Sequence, residues 1–257
     1  MKNYRIAIFA LFTLFSLSNC REQDIQIFAL DRKEISSFLS DYMISNPPEK
    51  FDQTSIEKFI NSVNNRFSLN YSIEDIRLDD DYISFLVDNK LTALSINNSP
   101  ESFNIKSYEN IEGYYYLESL YNHTVQNQAV DQLGIFEQKV INDINLDEEI
   151  ATNILGLIHA KYILYANSFT TSIQCNEKPG YQYCESECNR TKESSLLTAY
   201  LSLLGGTAGS INRMRSSSGD GILNFLTTIG SAIAAQLIIQ SNYDACKGRC
   251  IKEYPCE

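Results

Sequence analysis

The sequence predicts an all-α protein in which a helical N-terminal region is followed by a long antiparallel helical hairpin clasped by disulfides. Three observations carry that reading. Apolar residues recur with a helical period through much of residues 35–165, and no run alternates as a strand ladder requires. Two C-x-x-x-C pairs each place two thiols on one helix face, one turn apart. Three segments follow: 1–19, 20–170 and 171–257.

The first segment opens with Lys2 and Arg5, continues through twelve uncharged, mostly apolar residues (6–17, IAIFALFTLFSL) and ends at Ser18, Asn19 and Cys20. That is the order of an export signal. At about 1.5 Å per residue the run spans roughly 18 Å against a hydrocarbon core of roughly 30 Å, so it is too short for a permanent span. Leu17-Ser18-Asn19-Cys20 resembles the lipobox of bacterial lipoproteins, with Asn19 where Gly, Ala or Ser is more usual. The resemblance implies cleavage before Cys20, lipidation of Cys20 and membrane attachment through that lipid. It places the protein in the cell envelope, at the outer membrane of a Gram-negative bacterium. Cysteine parity agrees. Of seven cysteines, removing Cys20 leaves six, an even set for an exported chain: Cys175, Cys184, Cys188, Cys246, Cys250 and Cys256.

Composition divides the remainder. A 44% hydrophobic content and 16 tyrosines indicate a folded chain. Residues 21–174 carry 11 Lys+Arg against 24 Asp+Glu, a balance of −13, whereas residues 175–257 carry 8 against 8. The acidic part repels polyphosphate, so nucleic acid is a poor partner and none is expected.

Within residues 20–170 the elements are read from period and punctuation. Ile35, Phe38, Leu39, Tyr42 and Met43 predict a helix stopped by Pro47-Pro48. Thr54-x-x-Glu57 looks like a capping box ahead of Ile56, Phe59, Ile60, Val63 and Phe67. A further helix is expected over 72–94, another on Leu133, Phe136, Val140 and Ile144, and another over 150–165.

Candidate sites here are weak. Asp143-Ile144-Asn145-Leu146-Asp147 imitates the start of a calcium loop, but Glu148 occupies the glycine position and Ile154 the closing ligand position. Asp79-Asp80-Asp81 reads as a solvated acidic edge, and Tyr114-Tyr115-Tyr116 with Tyr121 as a partly buried helix face rather than an exposed contact surface. His123 and His159 are the only histidines, and His159 lies in an apolar helix as a core histidine would. No nucleophile elbow, zinc-protease helix, phosphate loop or dinucleotide fingerprint occurs. No cofactor or metal is expected. A carboxylate-based hydrolase needs no sequence signature, but no feature points to one.

The hairpin follows from arithmetic. In antiparallel helices, facing levels share one index sum, and 184 + 250 and 188 + 246 both equal 434. That places the fold at residue 217, inside the strong turn signal of residues 216–221 (SSSGDG). Cys175 and Cys256 remain for each other. Each long loop, closed alone, is worth about 4 kcal/mol in the chain-entropy model. A zinc site is the competing reading, and an oxidising compartment disfavours it.

The arms are uncharged over 194–212 and 221–243. Gly205, Gly206, Gly209 and Gly230 have the spacings of tight helix packing, and Gly205 and Gly206 fall level with Ile229 and Thr228. Two functions fit. The preferred one is a non-enzymatic interaction or structural module, its partner unidentified, whose arms are core helices. The other is a membrane-inserting or toxin-like protein acting through residues 194–243, similar in architecture to the apolar hairpins of pore-forming bacteriocins.

Overall fold

The computed structural model describes residues 31–45, 53–75, 104–166, 179–214 and 221–255. Among these it contains seven α-helices and no strand: α1 Arg32–Ser45, α2 Gln53–Phe67, α3 Tyr114–Val125, α4 Leu133–Asn142, α5 Glu148–Ala166, α6 Pro179–Met214 and α7 Gly221–Glu253. Short 3-10 turns at Ile105–Tyr108 and Val130–Gln132 precede α3 and α4.

In α1, the Asp31 carboxylate accepts from the backbone N–H groups of Lys33 at 2.8 Å and Glu34 at 3.4 Å, satisfying donors the first turn leaves open. Its inner face, Ile35, Leu39 and Tyr42, is buried, and so is the α2 face made by Ile56, Phe59, Ile60, Val63 and Phe67, as the period requires. Edge-on rings join them, Phe38 to Phe67 at 5.4 Å and Tyr42 to Phe59 at 5.2 Å between centroids. The helix α2 begins at Gln53, so Thr54 lies inside its first turn. Of the helix expected over 72–94, residues 72–75 form a turn in which the Asp75 carboxylate accepts from the Ser72 N–H at 2.7 Å. Its remainder, with Asp79-Asp80-Asp81, lies outside the described residues.

The α4 helix is shorter than its apolar period. It ends at Asn142, Asp143 turns extended, and Ile144 is 93% exposed instead of continuing the buried face. The reason is local. Asp143 and Asp147 draw backbone donors to their carboxylates, from Asn145 at 3.1 Å and from Glu149 and Ile150 at 2.9 and 3.3 Å, and the second set caps α5. These are turn and cap carboxylates.

The α6 and α7 helices run antiparallel and keep the predicted register. Cys184 bonds to Cys250 and Cys188 to Cys246, with Cα atoms 5.7 and 5.8 Å apart. Farther along, the Tyr243 hydroxyl donates to Asn189 at 2.8 Å, Lys192 donates to Gln240 at 3.1 Å, and the hydroxyls of Thr207 and Thr228 meet at 3.2 Å. Index sums stay between 432 and 435 across these contacts. The connection, like Cys175 and Cys256, lies outside the described residues.

Two of the four arm glycines do not pack as their spacing predicts. A side chain at Gly206 would meet open space, and one at Gly209 would face the Tyr108 hydroxyl at 3.8 Å, so neither spaces α6 from α7. Gly205 is half-buried and Gly230 buried. Close approach occurs instead at Gly180, which lies under the Tyr254 ring, and at Gly156 of α5, where an added Cβ would sit 3.1 Å from the Phe225 ring.

That last contact shows where the core lies. In α7 every residue from Thr228 to Ile239 is buried, more than three turns with no face to water. The helix α5 packs along it in parallel, from Glu149 at Gly221 to Gly156 at Phe225, while α6 covers another side and α2 also touches it. Among the described residues, helices from the two sides of the charge boundary near residue 170 pack together, α5 against both α6 and α7.

Candidate functional site

The chain's most unusual chemistry sits where α3, α5 and α6 meet. Lys161 is the only charged residue of α5 after Glu149, and its side chain is buried, with the residue 1% exposed. Its Nζ lies 2.5 Å from Nδ1 of His123 and donates to the Thr124 hydroxyl at 2.8 Å. Both hydrogen-bond partners are neutral acceptors. Since the amine donates to Nδ1, the imidazole carries its proton on Nε2 and donates it to the Ala129 carbonyl at 3.0 Å. Thr124 passes its own proton to the Leu120 carbonyl at 2.8 Å. The rings of Tyr165 and Tyr200 lie 5.4 and 5.5 Å from Nζ and offer it π-faces.

Burial penalises the ammonium and draws Lys161 down to about 7. Burial, then the neighbouring Lys161, lowers His123 below its ordinary range, keeping the neutral ring that accepts from the lysine. An amine of this kind could act as a nucleophile, but α3, α5 and α6 enclose it, so it serves as a polar rivet.

Its titration has a consequence for stability. Between pH 7 and 10.5 the folded chain binds fewer protons at Lys161 than the unfolded chain, so stability rises with pH, by up to about 1.4 kcal/mol per unit. Lys161→Met is expected to flatten that rise, read as urea midpoints of both proteins at pH 7 and 9. Parallel pH profiles would refute the assignment.

A second polar contact ties α1, α4 and α5. Glu137 accepts from His159 at 2.7 Å and from the Ser36 hydroxyl. Burial alone would raise its pKa, but the hydrogen bond and charge of His159, with Ser36, hold it lower. His159 is therefore a satisfied buried histidine. In this arrangement the carboxylate lies between serine and histidine, so His159 does not contact Ser36 as the base of a serine–histidine pair would. Arg32 is the third such contact. It is buried, and its guanidinium donates to the carbonyls of Val140, Asp143 and Leu146 at 2.8, 2.6 and 2.5 Å and to Glu148 at 2.9 Å.

The tyrosine run splits by face. Tyr116 is buried and donates to Asp143 at 2.9 Å, whereas Tyr115 is exposed and Tyr114 and Tyr121 are half-buried. Tyr116, Ile135, Lys139 and Asp143 line an open groove of about 730 Å³ between α3 and α4. Ile135 is largely exposed there, and exposed Ile144 follows the groove-lining Asp143 in the chain.

No family model, curated protein or solved structure matches this chain. Function therefore has to be read from the residues themselves. Cys20 lies outside the described residues. Among the described residues the structure joins the four clasp cysteines as paired above, and separates the four arm glycines by environment. Sequence reasoning passed over Lys161, Arg32 and Glu137. For Lys161 a signal existed, a lone cation in an apolar helix. Arg32 and Glu137 carry no such signal, because their partners are roughly 100 and 22 residues away or more.

Proposed function

We propose that this is a lipid-anchored protein of the cell envelope, held at the outer membrane of a Gram-negative bacterium through Cys20, whose helical unit is a non-enzymatic interaction or structural module. The observation that carries the reading is the charged, apolar and Leu-Ser-Asn-Cys order of residues 2–20. Two disulfides in the hairpin support it, since such bonds persist in oxidising compartments. The α3–α4 groove, with its exposed Ile135, offers a partner an apolar foothold.

The experiment is intact and N-terminal mass spectrometry of the protein extracted from the host envelope. The expected result is a chain beginning at Cys20 with acyl mass on that residue, and conversion to an unacylated, released form by Cys20→Ala. A chain retaining residues 1–19, or an unmodified Cys20, would refute the reading.

The second reading, insertion of the hairpin, is favoured by one observation: α7 is long and apolar enough to cross a bilayer. Most of that apolar stretch is packed inside the helical unit, which supports the reading of the arms as core helices. Dye release from liposomes by the oxidised or reduced protein would favour insertion instead.

A further inference from the structure

The two disulfides lie one helical turn apart and touch. Cys188 Sγ is 3.6 Å from Cys250 Sγ, although these atoms belong to different bonds, and the sulfurs of Cys184, Cys188 and Cys250 all lie within 4.8 Å of one another. Four thiolates around zinc stand about 2.3 Å from the metal, which sets neighbouring sulfurs roughly 3.8 Å apart in a tetrahedron. The contact between the two bonds already has that spacing. The fourth sulfur, on Cys246, is bonded to Cys188 and half-buried, so side-chain rotation rather than backbone movement would bring it in.

We propose that Cys184, Cys188, Cys246 and Cys250, once reduced, form a tetrathiolate site for one zinc ion. The zinc and disulfide states exclude each other, because the same four sulfur valences are used in both.

The hairpin holds these residues in place by contacts that do not involve sulfur. Tyr254 covers Gly180 on one side of the cluster. On the other, Tyr243 donates to Asn189 at 2.8 Å and Lys192 to Gln240 at 3.1 Å, and Lys247 pairs with Glu185 at 3.0 Å at the level of the sulfurs. Reduction therefore leaves the thiols facing one another. Cys188 and Cys250 are buried with Tyr181, and Tyr243 and Ile251 pack against them, which shields metal–thiolate bonds from water. Soft sulfur donors select zinc over magnesium or calcium.

The chemistry balances with a small thiol as reductant. Each protein disulfide breaks as two thiol molecules join in a disulfide of their own, and two electrons and two protons pass to the cysteine sulfurs. Zinc then displaces four thiol protons and stays divalent, leaving a site with two net negative charges. Nothing in this depends on the lipid anchor.

The test uses the purified full chain in detergent, reduced anaerobically with a phosphine, which takes oxygen from water as each disulfide gains two electrons and two protons. Cobalt(II) is titrated in, then zinc, with helical circular dichroism recorded throughout. The expected result is one cobalt per chain with the visible bands of tetrahedral thiolate coordination, displaced by one zinc, and no binding by the oxidised protein. A Cys184→Ser/Cys250→Ser variant is expected to lose those bands, whereas Cys20→Ser/Cys175→Ser/Cys256→Ser keeps them. If reduction unfolds the chain, zinc is expected to restore its helicity, because binding then drives folding. Absence of one-to-one binding, bands that survive loss of Cys184 and Cys250, bands lost with the other three cysteines, or an unfolded chain that zinc fails to refold would each overturn the proposal.

Discussion

In a Cys175→Ser/Cys256→Ser background, replacing Cys184, Cys188, Cys246 and Cys250 together by alanine is expected to lower the unfolding free energy by about 6–7 kcal/mol, while removing either pair alone costs about 2–3 kcal/mol. The inequality comes from nesting. The bonds close separations of 66 and 58 residues, and with one in place the other closes only a loop of about 8 residues, the difference between them. In the chain-entropy model the first closure is worth about 4 kcal/mol and the second about 2.5. The measurement is a set of urea unfolding curves for the three variants under non-reducing conditions, compared by midpoint at matched slope. Equal losses of about 4 kcal/mol for each pair, adding in the fourfold variant, would mean that the two loops are not nested.

Phe225→Ala is the next largest expected effect, a loss of about 3–5 kcal/mol. Phe225 is fully buried, and its ring lies against Gly156 where α5 and α7 are in contact. Truncation removes the ring from a site whose opposite wall is helix backbone, so the cavity cannot collapse. Gly156→Ala should cost about 1–3 kcal/mol in the native protein by crowding that ring. In the Phe225→Ala background it should cost much less, since the crowding atom finds the vacated space. The coupling, read from a double-mutant cycle, is the signature of direct packing. A loss below about 1 kcal/mol for Phe225→Ala would remove α7 from the core and revive the insertion reading.

These two experiments bear on parts of the protein that differ in how far the sequence determines them. The clasp was legible because helix geometry is local and regular. Two cysteines four apart share a face, two such pairs with one index sum demand one register, and a Ser-Gly-Asp-Gly turn marks its midpoint. The helices α1, α2 and α5 were legible for the same reason, through periodic burial of Ile35 and Leu39, of Phe59 and Val63, and of Ile154 and Ile158. Where a competing local interaction won, period misled. Ile144 leaves the α4 face because the Asp143 and Asp147 carboxylates capture nearby backbone donors. At Gly206 and Gly209 the glycine spacing misled differently, since it marks small residues without saying which neighbour they face.

By itself, then, the sequence determined helix content, the hairpin register and the cysteine pairing at its open end, all consequences of repeats a few residues long. Tertiary structure decided that α5 lies parallel along α7, that Arg32 reaches the carbonyls after α4, and that Lys161 shares its proton with His123 beneath two tyrosines. Those outcomes depend on which faces meet across long stretches of chain. A buried polar group takes whichever partner the packed core brings within about 3 Å, and no short-range pattern encodes that choice.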